Sequence, residues 1–314
     1  YYLVGNKSMD KKISIIIPNF NGAKLLEKNL PKVVDAARTY SLETEIIVVD
    51  DASTDNSVDV IKNKFPGITI FKKEKNEGFA STVNLGVTKA KGEIAILLNS
   101  DVYPNKNLLS VISSYFSDSQ VFAVAFLDLS MENGREVERG RGIGHFERGF
   151  LMHARGDTGK SDSLWASGGS SAYDRKKWQE LGGINEIYNP FYWEDIDLSY
   201  RALKKGWKIG FANNAIVHHN HEEGAIQSKY SADTVKTIAY RNQFIFVWKN
   251  ITDAKYILSH FIWLPYHLIK AFIRGDYAFF SGFFQAIFLL LKKMPRKTRG
   301  LYRDKEILNS YRNE

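Results

Sequence analysis

The 314-residue chain contains no cysteine. Disulfide scaffolds, thiolate zinc sites and cysteine nucleophiles are therefore excluded. It also lacks an apolar run long enough to span a bilayer. A spanning helix needs about 20 residues, whereas the stretch Tyr277–Leu291 has 15, roughly 22 Å at the helical rise. No secretory signal is expected, because the first apolar run, Ile13–Ile17, continues as a strand pattern. The body of the chain has little net charge. Of the formal +8, residues 251–314 supply 11 Lys and Arg against 5 Asp and Glu, leaving 32 against 30 in the first 250. Those late bases adjoin aromatics rather than a sheet or groove, so no nucleic-acid partner is expected. With 44% apolar and 25% charged residues, the composition is that of a folded protein. The length suits one large α/β domain with an extension.

From Lys12 onward, short β-branched runs alternate with helical spacing. Ile13–Ile17, Glu45–Val49, Ile68–Phe71 and Glu93–Leu98 read as strands. Leu25, Leu26, Leu30, Val33, Val34 and Ala37 recur as a helix face, and further helices are expected after Asp55 and near Ala80–Ala90. Such alternation predicts right-handed crossovers and a mostly parallel sheet flanked by helices. In such sheets ligands bind beyond the carboxyl ends of the strands. Residues 128–163 are polar and glycine-rich, with Arg135, Arg139, Arg141 and Arg148. They are expected to form a mobile lid over the site or an unstructured excursion.

The strand ends are polar and acidic. Asp50-Asp51-Ala52-Ser53 follows the second strand, where Asp51 or Ser53 would serve equally as a helix cap. Asn99-Ser100-Asp101 follows the fourth, where a plain turn toward Pro104 is the alternative. Glu194, Asp195 and Asp197 cluster beside Tyr192 and Trp193 before a helix ending near Lys205-Gly206. They are candidates for acid–base chemistry or for simple complementarity to the helix dipole. His218, His219 and His221 crowd four positions, of seven histidines in the chain.

Taken in order, these blocks resemble the family 2 glycosyltransferases of GT-A fold, from Lys12 to about Trp248. Ile15–Asn21 is similar to the family's first strand and turn, and Ile47–Asp55 to its nucleotide-contacting turn. Asn76-Glu77-Gly78-Phe79 with Asn84 and Gly86 resembles its N-x-G-F…N-x-G helix. Asn99-Ser100-Asp101 stands at its D-x-D metal motif, departing from it at Asn99. Gly168-Gly169 through Gly183, with Trp193-Glu194-Asp195, resembles its acceptor and catalytic-base region. The resemblance implies an inverting transferase with a divalent cation, Mn2+ or Mg2+, held by Asp101 and a histidine. His218 fits that place best, with His219 and His221 as rivals. It implies that Pro18, Asn19, Asn21, Asp50, Asp51, Asn76, Gly78, Asn84, Asn99 and Ser100 frame a UDP- or dTDP-sugar. Asp195 is then the general base, with Glu194 beside it, and Gly168, Gly169, Trp165 and Trp193 line the acceptor sugar. Core packing is the alternative for both tryptophans. No Q-x-x-R-W pattern is present, so addition of one or a few sugars is expected, as in rhamnosyltransferase-like enzymes of bacterial surface polysaccharides. A nucleotidyltransferase-like enzyme and a non-catalytic, membrane-bound partner are the alternatives. Pro18–Gly22 lacks the basic glycine-rich loop that the first would need, and Asn99 favours the second.

The chain divides into residues 1–11, an N-terminal tail or cloning remnant; 12–250, the GT-A domain; and 251–314, a helical extension. In the last, residues 256–288 hold 11 aromatics in 33 positions. His260, His267, Lys270 and Arg274 project as a polar stripe on an otherwise apolar helix, and Lys292, Lys293, Arg296, Lys297, Arg299 and Arg303 follow. Two readings stand: a monotopic attachment to an anionic membrane surface, or helices packed on the catalytic domain or in a dimer. The first places the protein at the cytoplasmic face of a bacterial inner membrane with a glycan or lipid-linked acceptor.

Overall fold

The computed structural model describes residues 11–132, 134–219, 230–292, 298 and 300–312. Its first third follows the expected alternation: β1 (Ile13–Asn19), α1 (Ala23–Thr39), β2 (Glu45–Asp50), α2 (Ser57–Lys64), β3 (Thr69–Lys72), α3 (Phe79–Lys89) and β4 (Ile94–Leu98). β3, β2, β1 and β4 pair in parallel, in that order. Alternate side chains serve opposite faces. Ile13, Ile15 and Ile17 pack with Leu26, Leu30 and Val33 of α1, while Ile16 packs with Ala80 and Val83 of α3.

Beyond β4 the sheet is mixed, which corrects the mostly parallel expectation. The next elements are β5 (Val102–Pro104), α4 (Leu108–Tyr115), β6 (Val121–Glu132), β7 (Arg135–Arg139), β8 (Gly142–Glu147), β9 (Phe150–Arg155), β10 (Ser170–Asp174), α5 (Arg175–Leu181), α6 (Glu194–Lys204) and β11 (Lys208–His219). β10 enters antiparallel to β4, and β6 antiparallel to β10. β11 then runs parallel to β6, and β5 closes the edge antiparallel to β11.

Residues 128–163 are neither a lid loop nor an unstructured excursion. They finish β6, form β7, β8 and β9, and end in an irregular stretch after Arg155. Glu147 pairs with Phe150 across a two-residue turn, and Arg148 and Gly149 both have positive φ, 46° and 84°. Those angles mark the primed turn that matches strand twist. Gly134 and Gly149 are hairpin corners and Gly142 and Gly144 lie within β8, while many of the polar residues belong to the strands.

The described residues beyond Asn250 join the main hydrophobic core through Ile251, Ala271, Phe279, Ala286, Ile307 and Leu308. They supply α8 (Ala254–Ile273), α9 (Tyr277–Lys292) and α10 (Asp304–Ser310), which follow α7 (Ala232–Asn250). α9 lies on α7 where Gly282 allows close approach, and Phe244 of α7 meets Phe279 and Phe283 at 5.4 and 5.2 Å. The two histidines of the α8 polar stripe turn inward, whereas Arg274 stays exposed. His260 lies 2.7 Å from the Gly149 carbonyl through Nδ1 and accepts from the Trp248 indole, and His267 Nε2 lies 2.8 Å from the Arg148 carbonyl. Asp304, fully buried, pairs with Lys204 at 2.9 Å and accepts from the Tyr200 hydroxyl at 2.7 Å. Among the described residues no helix is long and apolar enough to cross a membrane.

Candidate active site

The ends of β1, β2 and β4 converge, as the parallel half of the sheet requires. Asn19 is buried and donates to Asp50 (2.9 Å) and Ser53 (3.2 Å), while its Oδ1 has no partner among the described residues. Asn21, exposed and at φ 53°, accepts from the Thr54 amide at 2.8 Å and so ties the first loop to the second. Asp51 is fully engaged: the amides of Glu77 (3.0 Å) and Gly78 (2.9 Å) donate to it, and Lys73 lies 2.8 Å away. It therefore braces the loop before α3. Asn84 is a second brace, exchanging two hydrogen bonds with the Ile184 backbone at 2.8 and 2.9 Å. Pro18 is half-buried in β1, Asn76 is exposed, and Gly78 takes φ 88° at the start of α3. The Ser100 carbonyl accepts from Asn29 at 2.8 Å.

At the β4 end, Asn99 stacks against Gly169, where any Cβ would lie 2.5 Å from its amide nitrogen. Asp101 is mostly buried, and its Oδ1 has no partner among the described residues. Its Oδ2 lies 3.4 Å from Nε2 of His219, whose Nδ1 lies 3.0 Å from Asp128. The pairing of His219 with Val102 of β5 and with Ser130 of β6 sets this arrangement. His218, the preferred ligand from sequence, faces the other way: it stacks on Tyr103 at 5.0 Å and bonds Asn105 at 3.0 Å. Successive strand residues point to opposite faces, so only one of the two can reach Asp101. His221 lies outside the described residues. Burial would lower the His219 imidazolium, but hydrogen bonds to Asp101 and Asp128 outweigh it and hold it at about 9.

Among the described residues no three or more His, Asp or Glu side chains are grouped to hold a metal. The site suits a cation that takes one carboxylate here and its remaining oxygens from a ligand's phosphates, the usual arrangement for Mg2+. The unpartnered Oδ1 of Asp101 is the oxygen that fits it.

The acidic cluster at α6 divides into three roles. Asp197 is fully buried and bonded to Arg201 (2.8 Å), Lys249 (2.6 Å), Asn250 (2.7 Å) and the Tyr188 hydroxyl (2.9 Å). Burial would raise its carboxyl, but the two cations hold it far below the usual range. Glu194 is buried with Oε2 unpartnered among the described residues, and burial, then the Asp195 charge, push it well upward. Asp195 is half-buried and accepts from Ile196 (2.8 Å) and Gly168 (3.3 Å); burial raises its carboxyl despite those amides. Of the three, Asp195 alone combines access with a raised affinity for a proton.

The turn that presents it is strained. Tyr192 and Trp193 have φ 71° and 73°, which costs roughly 1–3 kcal/mol per residue. Asn242 on α7 holds it by donating to the carbonyls of Tyr188 (2.8 Å), Phe191 (2.9 Å) and Tyr192 (2.9 Å), and Arg241 donates to Asn189. Trp193 is buried against Phe246, whereas Trp165 is half-exposed. The exposed His153 ring sits edge-on to both tryptophans, at 5.0 and 5.4 Å. Gly168 packs on Phe79, where a Cβ would come within 3.0 Å of the ring.

Sequence patterning passes over Asp128, His153, Arg241 and Asn242. Asp128 carried a usable signal: it ends the apolar run Val121–Leu127 as Asp50 ends Ile46–Val49. Asn242 carried none beyond being a polar residue on a greasy helix.

A sequence model of glycosyl transferase family 2 matches residues 14–182, stopping short of the Trp193–Asp195 turn. The cholesterol galactosyltransferase of Borreliella burgdorferi is 33% identical over 82% of this chain and 75% of its own. The O-antigen chain rhamnosyltransferase of Salmonella anatum is 24% identical over 57% of each. The chain spans 33–57% of the length of that enzyme and two other curated relatives. A structure of GalNAc-T7 with UDP, GalNAc and Mn2+ superposes with a TM-score of 0.61 at 19% identity, over 78% of this chain and 49% of that one.

Proposed function

Because the chain belongs to glycosyl transferase family 2, we propose that it moves one sugar from a nucleotide-diphosphate donor to a glycan hydroxyl with inversion. Asn19, Asn21, Asp50 and Ser100 frame the nucleoside side of the cleft, and a UDP- or dTDP-sugar is the donor class. Asp101 holds the diphosphate side together with a divalent cation, Mn2+ or Mg2+, which when bound supplies positive charge to the leaving diphosphate. Asp195 takes the proton of the acceptor hydroxyl. The acceptor oxygen bonds to the anomeric carbon from the opposite face as the carbon–oxygen bond to phosphate breaks, and the nucleoside diphosphate departs with the electron pair. One carboxylate suffices, since no glycosyl-enzyme forms. Burial and the Asp195 charge push the Glu194 carboxyl well upward, so Asp195 is the accessible carboxylate at the start of α6. Trp165 and His153 offer the acceptor a surface beside it.

The observation that carries this reading is the half-buried Asp195, which accepts from Gly168 next to the Gly169 that packs on Asn99 at the β4 end, its proton affinity raised by burial. The acceptor class is a lipid-linked glycan of bacterial cell-surface polysaccharide synthesis. Support comes from the O-antigen chain activity of the Salmonella relative and from the basic, aromatic carboxyl-terminal segment, which suits peripheral attachment at the cytoplasmic face of the inner membrane. Turnover of candidate donors with Mn2+ is expected to fall by two or more orders of magnitude in Asp195→Asn, the usual worth of a general base, with donor binding retained. Wild-type turnover in that variant would remove Asp195 from the role.

A further inference from the structure

α8 and α9 carry a surface that the transfer reaction does not use. On their outward flanks Phe261, Ile262, Phe272, Ile273, Phe284 and Phe288 are 62–79% exposed. Contiguous apolar surface of this kind marks an interaction site.

Its charge selects the partner. Neither helix contains an Asp or Glu; their charged residues are Lys255, Lys270 and Lys292, with Arg274 at the turn between them. The acid of that turn, Asp276, is taken up by Lys236 (2.9 Å) and the Tyr240 hydroxyl (3.0 Å) of α7. Downstream the sequence adds Lys293, Arg296, Lys297 and Arg299. A second copy of this chain set against the face would bring like charges together. An anionic lipid surface satisfies the apolar flank and the bases at once. Trp263 and Tyr266 are partly exposed on the same helix, and such side chains settle at headgroup depth.

We propose that the outward face of the α8–α9 hairpin is a docking surface that lies in the interface of an anionic bilayer. This rests on the peripheral-membrane part of the reading above and needs nothing of its chemistry. The inward turn of His260 and His267 fits it. Their polar atoms fix α8 to the β8–β9 turn, so the apolar flank is left outward rather than folded against the body. Beneath the hairpin, α7 holds the Tyr188–Tyr192 turn through Asn242, and Gly282 of α9 seats on α7 at Thr237 and Arg241. Docking therefore sets the distance of Asp195 from the lipid surface.

The test is flotation of the full chain with vesicles of phosphatidylcholine alone and of phosphatidylcholine mixed with phosphatidylglycerol. Wild type is expected to float with the mixed vesicles only, and less at high salt. The double substitutions Phe272→Glu with Ile273→Glu, and Phe284→Glu with Phe288→Glu, are expected to lower binding at least about tenfold, since each removes two large side chains from burial. Urea midpoints and donor turnover in detergent should match wild type, which separates a docking defect from misfolding and from failure of the catalytic reading. Wild type that stays with the aqueous phase, variants that float as well as wild type, or a wild-type dimer that the substitutions split would each overturn the proposal.

Discussion

Replacing Asp197 by Asn discriminates between two accounts of the acidic cluster at α6. The amide keeps the size and can hold the Tyr188 and Asn250 contacts in part, but it removes the charge between Arg201 (2.8 Å) and Lys249 (2.6 Å). Arg201 retains the carbonyls of Leu181 (2.8 Å) and Gly183 (2.7 Å), whereas Lys249 is left 4% exposed with its anion gone. Removing one partner of a buried pair costs about 3–5 kcal/mol. At roughly 2 °C per kcal/mol for a large domain, that is a fall of about 6–10 °C in Tm. If the cluster merely complemented the helix dipole, the loss would stay below about 1 kcal/mol and would shrink with salt. The pH dependence has a definite sign. The folded carboxyl lies below its unfolded value of about 3.9, so its contribution is complete above that value and is lost as pH falls through the folded one. The deficit of the variant is therefore constant from pH 5 to 8 and narrows below about pH 4. Urea unfolding of both proteins across that range measures it. A loss under 1 kcal/mol at pH 7, or one abolished by salt, would refute the buried-hub account.

Asn242→Ala releases the carbonyls of a turn held at φ 71° and 73°; kcat is expected to fall at least about tenfold with donor KM unchanged, while stability drops by about 1–3 kcal/mol. Gly282→Val places a Cβ 2.8 Å from the Thr237 carbonyl and 2.9 Å from the Arg241 amide, so α9 must shift from α7; a Tm several degrees below wild type is expected, and an unchanged Tm would show the seat to be soft. Asp128→Asn removes one of the two carboxylates that raise the His219 imidazolium to about 9; an NMR titration of the metal-free protein should show that ring's pKa falling, and an unchanged value would show Asp101 alone to be sufficient.

The half of the fold from β1 to β4 was legible in the sequence. Its strands are short apolar runs rich in β-branched residues, its helices repeat every three to four residues, and one helix connects each strand to the next. The residues at those strand ends, Asn19, Asp50 and Asn99 to Asp101, follow because a parallel sheet delivers its carboxyl ends to one edge. Local pattern also determined that Glu194 and Asp195 open a helix. It did not decide which acid is free to act: Asp197 is withdrawn by Lys249 and Asn250, 52 and 53 residues away. Nor did it decide which histidine meets Asp101, because Val217 to His219 read alike until β5 and β6 set the pleat. β6 to β9 stayed hidden for a different reason: β6 pairs with the distant β10 and β11, and the hairpins β6–β7 and β8–β9 are rich in polar residues and glycine, which read as loop. The orientation of α8 was the last such decision. Its periodicity defined a polar stripe and an apolar flank, but two carbonyls at the Arg148-Gly149 turn chose which faces the protein. Periodicity is local and ranks faces by polarity. Burial of a polar atom needs a partner, and where that partner lies is settled only when distant segments pack.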